Sequence, residues 1–442
     1  MPAAPTVLLS GWGRFPRLDC RVLAPDGPDA ARAAIAREAS LIAFGNGRAY
    51  GDAALNPAAT LLMRANAGVE AFDPVTGRLT CRAGTMLADL ITAFVPQGWF
   101  PPVTPGTRFV TVGGMIAADV HGKNHHGAGS FGAHVDWLDL AVADGRVLRC
   151  APGENAELFA ATCGGMGLTG VILRACFAMM PVQTRLIRQE TRRASGLAAV
   201  MDQFEATQDW PYSVAWIDCL SRGAALGRSV LSLGAHATAA EAPAAPPPRP
   251  RARRMAFDLP GFALNRWSVR AFNALYYRAG RPGTTWVDLE PYFYPLDAIL
   301  EWNRIYGRSG LFQYQCVLPL AASRAGLTAL LDRIAASGAG SFLSVLKRFG
   351  NAPGPCPGLL SFPMAGYTLA LDFRATEANL RLATELDAIV ADHEGRLYLA
   401  KDARMHPDML RFYPGLERFR AIRQAIDPTG KFASAQSRRL GL

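Results

Sequence analysis

A glycine-rich stretch from Pro105 to Gly132 constrains the fold of this chain more than any other feature. Its sequence is PGTRFVTVGGMIAADVHGKNHHGAGSFG. Gly113 and Gly114 remove side chains where a backbone must approach a surface closely, and glycine also adopts positive φ angles. Successive N–H groups in such a turn can form a nest that binds an anion. The apolar run that follows predicts a buried segment, and polar side chains are bunched where it ends, namely His121, Lys123, His125 and His126.

A second glycine-rich turn follows a predicted βαβ unit near the N-terminus. The apolar periodicity predicts a helix over Asp29 to Glu38, between strands at Arg21 to Ala24 and Leu41 to Phe44. The second strand runs directly into GNGRAYGD, residues Gly45 to Asp52. Further predicted elements are strands at Val69 to Asp73 and Arg78 to Ala83, a helix with Thr85 as its N-cap, and a hairpin whose strands, Trp137 to Ala143 and Arg146 to Cys150, flank Asp144-Gly145.

A third glycine motif, GGMGLTG, matches the pattern G-x-G-x-x-G through Gly165, Gly167 and Gly170. A dinucleotide-binding fingerprint of this kind lies after a strand and before a helix. Here the motif follows a predicted helix at Asn155 to Thr162 and precedes a predicted strand at Val171 to Met179. The sequence therefore argues against a Rossmann site.

Beyond about residue 184 the predicted strands and helices become longer, and polar residues are interleaved in the strands. This pattern predicts an antiparallel sheet with helices on one face. A chain of 442 residues is long enough for two or three domains. The predicted strands are Ser213 to Cys219, Phe312 to Leu318, Phe342 to Lys347 and Tyr367 to Phe373, and the predicted helices are Leu296 to Ile305, Ala325 to Ala336 and a Thr376-capped helix up to about Asp392.

Charge, cysteine spacing and hydropathy exclude several classes of protein. The formal charge of +10 is spread thinly, which argues against nucleic-acid binding. The eight cysteines include no C-x-x-C pair, so neither a zinc ribbon nor a dithiol redox centre is indicated. The first residues lack the features of a signal peptide, and no apolar run has the length of a membrane span, so we expect a cytoplasmic protein. The proline- and arginine-rich segment Ala237 to Arg254 reads as a mobile surface loop, which allows a peripheral contact with the anionic inner membrane.

Several motifs in the same order along nearly the whole chain resemble flavoproteins of the vanillyl-alcohol-oxidase type. Within that group the chain is similar to the oxidase subunits of polyprenylphosphoryl-ribose 2′-epimerases. The resemblance implies an α+β fold with two domains: an FAD-binding domain over 1–183, a substrate (cap) domain with an antiparallel sheet over 184–395, and a C-terminal return to the FAD-binding domain over 396–442. The matching stretches are GNGRAYGD, the stretch from Pro105 to Gly132, ELFAATCGGMGLTGVILRA, SVAWID, EWNRIYG, FQYQCVLP, SFLSVLKRFG and GRLYLAKDAR.

The resemblance also implies an activity. An enzyme of this family oxidises the 2′-hydroxyl of a polyprenyl-phospho-β-D-ribose to a 2′-keto sugar by transferring a hydride to non-covalently bound FAD. A separate short-chain dehydrogenase/reductase then reduces the ketone, which completes the epimerisation to the arabinose donor of a cell-envelope polysaccharide. A quinone or oxygen reoxidises the flavin. Two other functions are compatible with the same residues. One is a soluble sugar or aldonolactone oxidase that uses oxygen, and the other is a flavin-free scaffold that only binds prenyl phosphates.

By the same resemblance, Lys401 is the active-site lysine, whose charge would polarise the reacting hydroxyl and stabilise the reduced flavin. Such a donor contributes about 3 to 4 kcal/mol to lowering a barrier. Tyr50 is a candidate catalytic residue, as a proton acceptor or flavin contact. His121, expected near the flavin ring, is the third catalytic candidate. The residues expected to bind FAD are Gly45, Asn46, Gly47, Arg48, Ala49, Tyr50, Gly51, Gly106, Thr107, Val112, Gly113, Gly114, Ala117, His121, Gly122, Asn124, Gly165, Gly167, Gly170 and Val171.

The expected substrate-binding residues come mainly from the second half of the chain. Lys347 is the candidate for the phosphate or for a hydrogen bond on the flavin side. The chain departs from the family at Thr368 and Ala370, where members often carry Asn and Cys facing the substrate cavity. The spacing of His121 and His125 suggests a metal, but Gly122 lies between them and no carboxylate completes a ligand set, so no metal site is expected. The full expected set is Lys123, Trp216, Gln313, Gln315, Lys347, Thr368 and Lys401.

Overall fold

Residues 5–181 form a four-stranded sheet, a five-stranded sheet, the two-stranded sheet β7-β11 and short connecting helices. The structure is a computed structural model that describes residues 5–245, 247, 251–341, 343–351 and 358–442. The sheet orders are β1-β2-β4-β3 and β5-β6-β10-β8-β9. The strands are β1 (Thr6–Ser10), β2 (Arg17–Leu23), β3 (Ile42–Phe44), β4 (Thr60–Leu62), β5 (Val69–Asp73), β6 (Arg78–Arg82), β7 (Trp99–Phe100), β8 (Val135–Ala141), β9 (Val147–Cys150), β10 (Val171–Ala178) and β11 (Met180–Pro181), and the helices are α1 (Pro28–Arg37), α2 (Leu87–Phe94), α3 (Val112–Ala117), α4 (His125–Ala128) and α5 (Ala156–Thr162).

The predicted elements of this part are confirmed to within four residues at each end, with one wrong cap. Thr85 is not the N-cap of α2, because the helix begins one residue later, after Met86. The Thr85 hydroxyl instead bonds with the backbone of Gly68, which fixes the loop that leads into β5. The tertiary contact therefore outweighs the local capping preference of threonine.

The glycine pair in the Pro105–Gly132 stretch does not form the expected positive-φ nest. Gly113 and Gly114 lie in α3, whose N-cap Thr111 accepts a hydrogen bond from the amide of Gly114. Glycine is needed at 113 for close packing, since a Cβ there would lie 3.0 Å from that of Ala83. Gly113 thus lets the start of α3 lie tightly against Ala83, the residue that follows β6.

The second half of the chain is organised by an eight-stranded antiparallel sheet with the order β16-β12-β14-β13-β19-β20-β18-β21. Its strands are β12 (Leu186–Ala194), β13 (Tyr212–Ile217), β14 (Ser229–His236), β16 (Gly283–Asp288), β18 (Leu311–Pro319), β19 (Ser344–Phe349), β20 (Gly366–Arg374) and β21 (Arg396–Leu397), with a separate parallel pair β15 (Arg253–Arg254) and β17 (Ile299–Leu300). The helices are α6 (Leu197–Glu205), α7 (Arg266–Ala279), α8 (Leu289–Phe293), α9 (Leu320–Ser337), α10 (Glu377–Asp392), α11 (Leu416–Ile426) and α12 (Ala435–Leu440).

One face of this large sheet is covered by helices, as the sequence predicts. Leu327 and Leu330 of α9 and Leu386 of α10 share an apolar core with Tyr314 and Cys316 of β18. Because side chains alternate along a strand, the neighbouring Gln313 and Gln315 point to the opposite face. The α+β fold class and the antiparallel sheet are confirmed.

The helix predicted over Leu296 to Ile305 is wrong. The segment forms two 3-10 turns, Pro295–Ala298 and Trp302–Tyr306, separated by β17. Glu301 adopts a left-handed conformation with φ of 58° between them. A left-handed residue interrupts the i to i−4 hydrogen bonds of an α-helix, so apolar periodicity alone was misleading here.

The C-terminal segment packs on the N-terminal sheet. The Leu41 amide donates to the Lys431 carbonyl at 2.9 Å, and the Ala433 amide donates back to Leu41 at 3.1 Å. β21 is still hydrogen-bonded to β18 of the large sheet. The predicted domain boundaries near residues 183 and 395 stay predictions.

Three further observations concern the cysteines, the surface loop and the length of the helices. Seven cysteines are buried free thiols, and Cys356 lies outside the described residues. The loop predicted over Ala237 to Arg254 lies in part outside them as well, at 246 and 248–250. Within the described ranges, no helix combines the length and apolar character needed to cross a membrane.

Candidate active site

A cavity of about 800 Å³ lies between the glycine-rich stretches and the large sheet. Its first side, the glycine wall, consists of Gly45, Asn46, Gly47, Arg48, Ala49, Gly106, Thr107, Gly113, Gly114 and Ala117. Its second side, the sheet wall, consists of Trp216, Gln313, Gln315, Val345, Lys347 and Ala370. The ends between the two walls are lined by Tyr50, His121, Gly122, Lys123, Gly167, Gly170 and Lys401.

The glycine wall presents backbone donors that have no partner in the described part of the protein. The amides of Asn46 to Ala49 make no hydrogen bond to any other described residue. The guanidinium of Arg48 lies 3.8 Å from the centre of the Trp12 ring, and its buried Nε has no partner within the described part of the chain. Unpaired amides and a cation on one concave surface fit the phosphates of a dinucleotide.

Asp297, which the sequence analysis missed, ties the glycine wall to the second half of the chain. Its carboxylate accepts from the Thr107 hydroxyl at 2.7 Å and from the Arg108 amide at 2.8 Å. Asp297 also lines the cavity. Burial lowers the pKa of Arg48, and the charge of Asp297 partly offsets this effect. The carboxylate therefore fixes the loop at Gly106 and helps keep Arg48 charged. The wrong helix prediction over this segment hid it.

Strand register explains how the sheet wall is assembled. Gln315 lies opposite Ala370, Ala370 opposite Val345, and Val345 opposite Trp216. Directly paired residues of antiparallel strands share a face, so one row of side chains crosses four strands and faces the cavity. Asp372 lies two residues after Ala370 on β20, and therefore on the same face, opposite Gln313.

Three of the four lysines in the chain, Lys123, Lys347 and Lys401, line this cavity; we call them the lysine cluster. Burial lowers the pKa of Lys123 and of Lys347 to about 7, and the other cluster lysines add to the effect at Lys347. Burial lowers the pKa of Lys401 to about 8, while the charge of Asp372 acts to raise it. These amines can change protonation state near neutral pH, which arginine cannot do.

Hydrogen bonds around His121 determine where its proton lies. The Thr368 hydroxyl donates to the Cys316 carbonyl at 2.8 Å, so it must accept from the Gln315 amide nitrogen, 3.2 Å away. This orients Gln315 to donate also to Nε2 of His121, at 3.1 Å. Burial holds the pKa of His121 far below its usual value, so the ring is neutral.

A neutral imidazole that accepts at Nε2 carries its proton at Nδ1. Nδ1 of His121 lies 3.0 Å from Nζ of Lys347 and therefore donates to it. Only a neutral amine can accept this bond, which agrees with the lowered pKa of Lys347. The network thus favours the uncharged form of Lys347, whose two N–H groups remain available to donate to a ligand.

A second network surrounds Lys401. Its Nζ lies 4.0 Å from the centre of the Tyr50 ring. Gln313 donates to Asp372 at 2.6 Å, and burial raises the pKa of that carboxyl to about 7. The pKa of Tyr50 is raised well above its usual value, first by burial and then by the charge of Asp372. Tyr50 therefore stays protonated at neutral pH, which favours a hydrogen-bonding role over the expected role of proton acceptor.

Some expected site residues lie behind the cavity surface. Thr368 acts through Gln315, while the neighbouring Ala370 faces the cavity. Asn124 donates to the Pro102 carbonyl, and neither His125 nor His126 lines the cavity. Four further residues expected to bind FAD are also absent from the described cavity lining, namely Gly51, Val112, Gly165 and Val171.

Comparison with known proteins identifies the kind of site. A family model described as an FAD binding domain matches residues 25–151. The chain is 38% identical to decaprenylphosphoryl-β-D-ribose oxidase of Mycolicibacterium smegmatis, with 99% of this chain and 98% of that protein covered. It is also 38% identical to an uncharacterized protein in the mprA 5′ region of Streptomyces coelicolor, with 80% of this chain and 99% of that protein covered. A match of 34% to cytokinin dehydrogenase 4 of Arabidopsis thaliana covers 24% of this chain and 20% of that protein.

The fold and the glycine wall therefore define an FAD-dependent oxidoreductase with the two-domain vanillyl-alcohol-oxidase-type fold. More narrowly, the chain belongs to the decaprenylphosphoryl-β-D-ribose oxidase family. FAD as the cofactor, predicted from the sequence, is confirmed.

Proposed function

We propose that the chain oxidises the 2′-hydroxyl of a polyprenyl-phospho-β-D-ribose to the 2′-keto sugar. The observation that carries this proposal is the lysine cluster on a cavity whose opposite wall suits a dinucleotide. Burying a charged amine costs free energy unless an anion pairs with it. A substrate phosphate would supply that anion, whereas a neutral sugar would not. The relative that covers nearly the whole chain is named for oxidation of such a lipid-linked ribose.

FAD fits the glycine wall. The free amides of Asn46 to Ala49 and the side chain of Arg48 would hold its diphosphate, and Gly106 leaves open space where a Cβ would project. When bound, FAD supplies the acceptor for the hydride that leaves the 2′ carbon. We propose non-covalent binding, since His121 is engaged at both ring nitrogens. Acid precipitation of the purified protein should then release all flavin into the supernatant.

We assign Lys401 to the proton of the reacting hydroxyl. With a pKa of about 8, part of the Lys401 population is a neutral amine at neutral pH. This amine takes the hydroxyl proton as the hydride leaves, so the 2′ carbon becomes a ketone. Asp372 stabilises the resulting ammonium group, since its charge raises the pKa of Lys401. A base whose pKa lies near the working pH is the most effective, and such catalysis contributes roughly 10²- to 10⁴-fold in rate.

The other two cluster lysines suit the phosphate of the substrate. Lys347 keeps two free N–H groups, and Nζ of Lys123 lies 4.2 Å from the centre of the Tyr292 ring, where it also donates to the Tyr292 carbonyl. Trp216 provides an apolar surface beside them. We further propose that a short-chain dehydrogenase/reductase consumes the ketone on the way to the arabinose donor, and that a quinone or oxygen reoxidises the flavin.

Anaerobic bleaching of the flavin tests this function directly. We expect a prenyl-phospho-ribose to bleach the holoenzyme and to lose two hydrogens in its mass spectrum. Free ribose and aldonolactones should leave the flavin absorption unchanged. Bleaching by free sugars with peroxide release in air, and none by the prenyl-phospho-ribose, would assign a soluble sugar oxidase instead.

A further inference from the structure

Helix α7 lies on the surface and exposes large apolar side chains. Over its fourteen residues, Arg266–Ala279, only Val269 and Asn273 are buried. Trp267 and Leu275 are 63% and 66% exposed, although both belong to large apolar types. They are eight positions apart, which places them on the same side of a helix with Ala271 between them. The helix therefore buries a narrow stripe and shows a broad apolar face to the outside.

The chain around α7 extends this apolar surface. Phe257 and Phe262 are 64% and 79% exposed, just before the helix. All exposed phenylalanines in the described part of the chain lie between Phe257 and Phe272. Exposed apolar side chains concentrated in one segment are typical of a contact with another apolar phase. We call the exposed apolar side chains of this segment the α7 face; they are Phe257, Phe262, Trp267, Phe272 and Leu275.

The charges around the α7 face are almost all positive. Residues 251–287 contain seven arginines and one acidic residue, Asp258. That carboxylate is already paired with Arg14, with 2.5 Å between the closest N and O atoms. Arg266 and Arg270 place their guanidinium carbons 4.6 Å and 5.8 Å from the centre of the Trp267 ring. Apolar side chains flanked by arginines, of which Arg254 is paired with Glu301, complement an anionic lipid surface, since each basic group near such a surface favours binding.

The C-terminal end of the same helix borders the cavity. Tyr276, Ala279, Gly280 and Arg281 line it, and the Tyr276 ring lies 4.6 Å from that of Trp216. One helix thus joins the exposed apolar surface to the sheet wall. A prenyl chain held in a bilayer under the α7 face would reach the cavity without crossing water.

We propose that the α7 face docks on an anionic lipid bilayer and that the prenyl-linked substrate enters the cavity along α7. The passage of substrate rests on the proposed function, whereas the docking itself does not. The insertion of Trp267 and Leu275 would supply the apolar part of the binding, and the arginines would supply the part that depends on anionic lipid.

Flotation of the full-length holoenzyme with vesicles tests the docking. We expect binding to vesicles of phosphatidylcholine with phosphatidylglycerol, and weaker binding to phosphatidylcholine alone. Trp267→Ser with Leu275→Ser should reduce binding at least tenfold, with unchanged FAD content and melting temperature, because neither side chain lines the cavity. The matched control is Leu8→Ser with Val75→Ser, two exposed apolar residues outside the α7 face, which should bind as the wild type does.

Two results would overturn the docking. The first is equal vesicle binding by the wild type and the Trp267/Leu275 variant. The second is a wild-type dimer in light scattering that this variant converts to a monomer, which would assign the face to a second copy of the chain.

A short-chain, water-soluble prenyl-phospho-ribose separates docking from the proposed function. It should bleach the flavin of both variants at the wild-type rate. The Trp267/Leu275 variant should turn over a long-chain substrate embedded in the anionic vesicles at least tenfold more slowly than the wild type, whereas the Leu8/Val75 variant should match the wild type. Equal turnover of the embedded substrate would overturn the entry route. Failure of the short-chain compound to bleach any of the proteins would contradict the proposed function and leave the flotation result as the test of docking.

Discussion

The glycine wall and the sheet wall both offer hydrogen-bond donors to the cavity, but they do so by different means. The glycine wall uses backbone amides and Arg48, whose charges do not depend on pH in the neutral range. The sheet wall contributes Lys347 beside Lys401 and Lys123, with pKa values of about 7 to 8. The difference suggests a division of labour, in which the glycine wall binds the cofactor and the buried amines handle the substrate and its proton.

The strongest test of this division is a change that blocks the glycine wall. Gly114 is exposed on the cavity side of α3, so Gly114→Leu should place its side chain where the cofactor binds. We expect FAD content below about a tenth of the wild-type value, measured by flavin absorbance per protein, because steric overlap with a ligand is not relieved by small shifts.

Gly127→Leu is the matched control, since Gly127 lies in the same stretch, is exposed, and has open space around its Cβ position. It should retain full FAD content. Full FAD occupancy in Gly114→Leu would contradict the assignment of the glycine wall to the cofactor.

The second test removes the amine of Lys401. Lys401→Ala should keep FAD but reduce the rate of anaerobic bleaching by roughly 10²- to 10³-fold, since a general base of this kind is worth that much. Stopped-flow absorbance with a prenyl-phospho-ribose measures the loss. Lys401→Arg keeps the charge but cannot accept a proton at neutral pH. It should therefore be about as slow as the alanine variant, and a wild-type rate in Lys401→Arg would mean that charge alone suffices.

The third test concerns pH. Lys401 acts as a base only when neutral, so the bleaching rate should rise with pH and level off above its pKa of about 8. The carboxylate of Asp372 raises that pKa, so Asp372→Asn should move the rising limb to lower pH. The effect on the limiting rate should be smaller than that of Lys401→Ala. Asp332→Asn, on the exposed side of α9, should leave the profile in place. A shift of the limb to higher pH would contradict the assigned pairing.

A site residue could be predicted from the sequence when the pattern that identifies it lies among its own neighbours in the chain. The two glycine stretches were recognised because close backbone approach needs a particular residue at a particular position. Gln313 and Gln315 were recognised because polar residues alternate in an otherwise apolar strand. Asp372 follows the same alternation in YTLALDF, at four residues from Thr368, and could have been found by the same reasoning.

Other features came from tertiary contacts that no local pattern records. The left-handed Glu301 breaks a segment whose apolar spacing suits a helix, and this hid Asp297. The proton position on His121 depends on Thr368 and Lys347, which are more than two hundred residues away in the chain. One overlooked signal was the scarcity of lysine, because a chain that uses arginine for nearly every cation keeps lysine where a titratable amine is needed.

The smallest expected effect concerns the hydrogen bonds that keep Lys347 neutral. Thr368→Val preserves the shape of the side chain but removes the hydroxyl that orients Gln315. The Gln315 amide can then turn its oxygen toward Nε2 of His121, which moves the ring proton to that nitrogen and leaves Nδ1 to accept from a charged Lys347. The pKa of Lys347 should therefore rise, and the bleaching rate should change only a few-fold, because neither Lys401 nor the glycine wall is altered.

With only four lysines in the chain, ¹³Cε labelling gives few enough signals to titrate each one by NMR. The wild type should show the Lys347 signal titrating near pH 7, and Thr368→Val should move it upward while the Lys401 signal stays in place. Thr368→Ser retains the hydroxyl and should match the wild type. If Lys347 titrated at the same pH in the valine and serine variants, the hydrogen bonds from Thr368 through His121 would not control its charge. Burial alone would then account for the lowered pKa of Lys347.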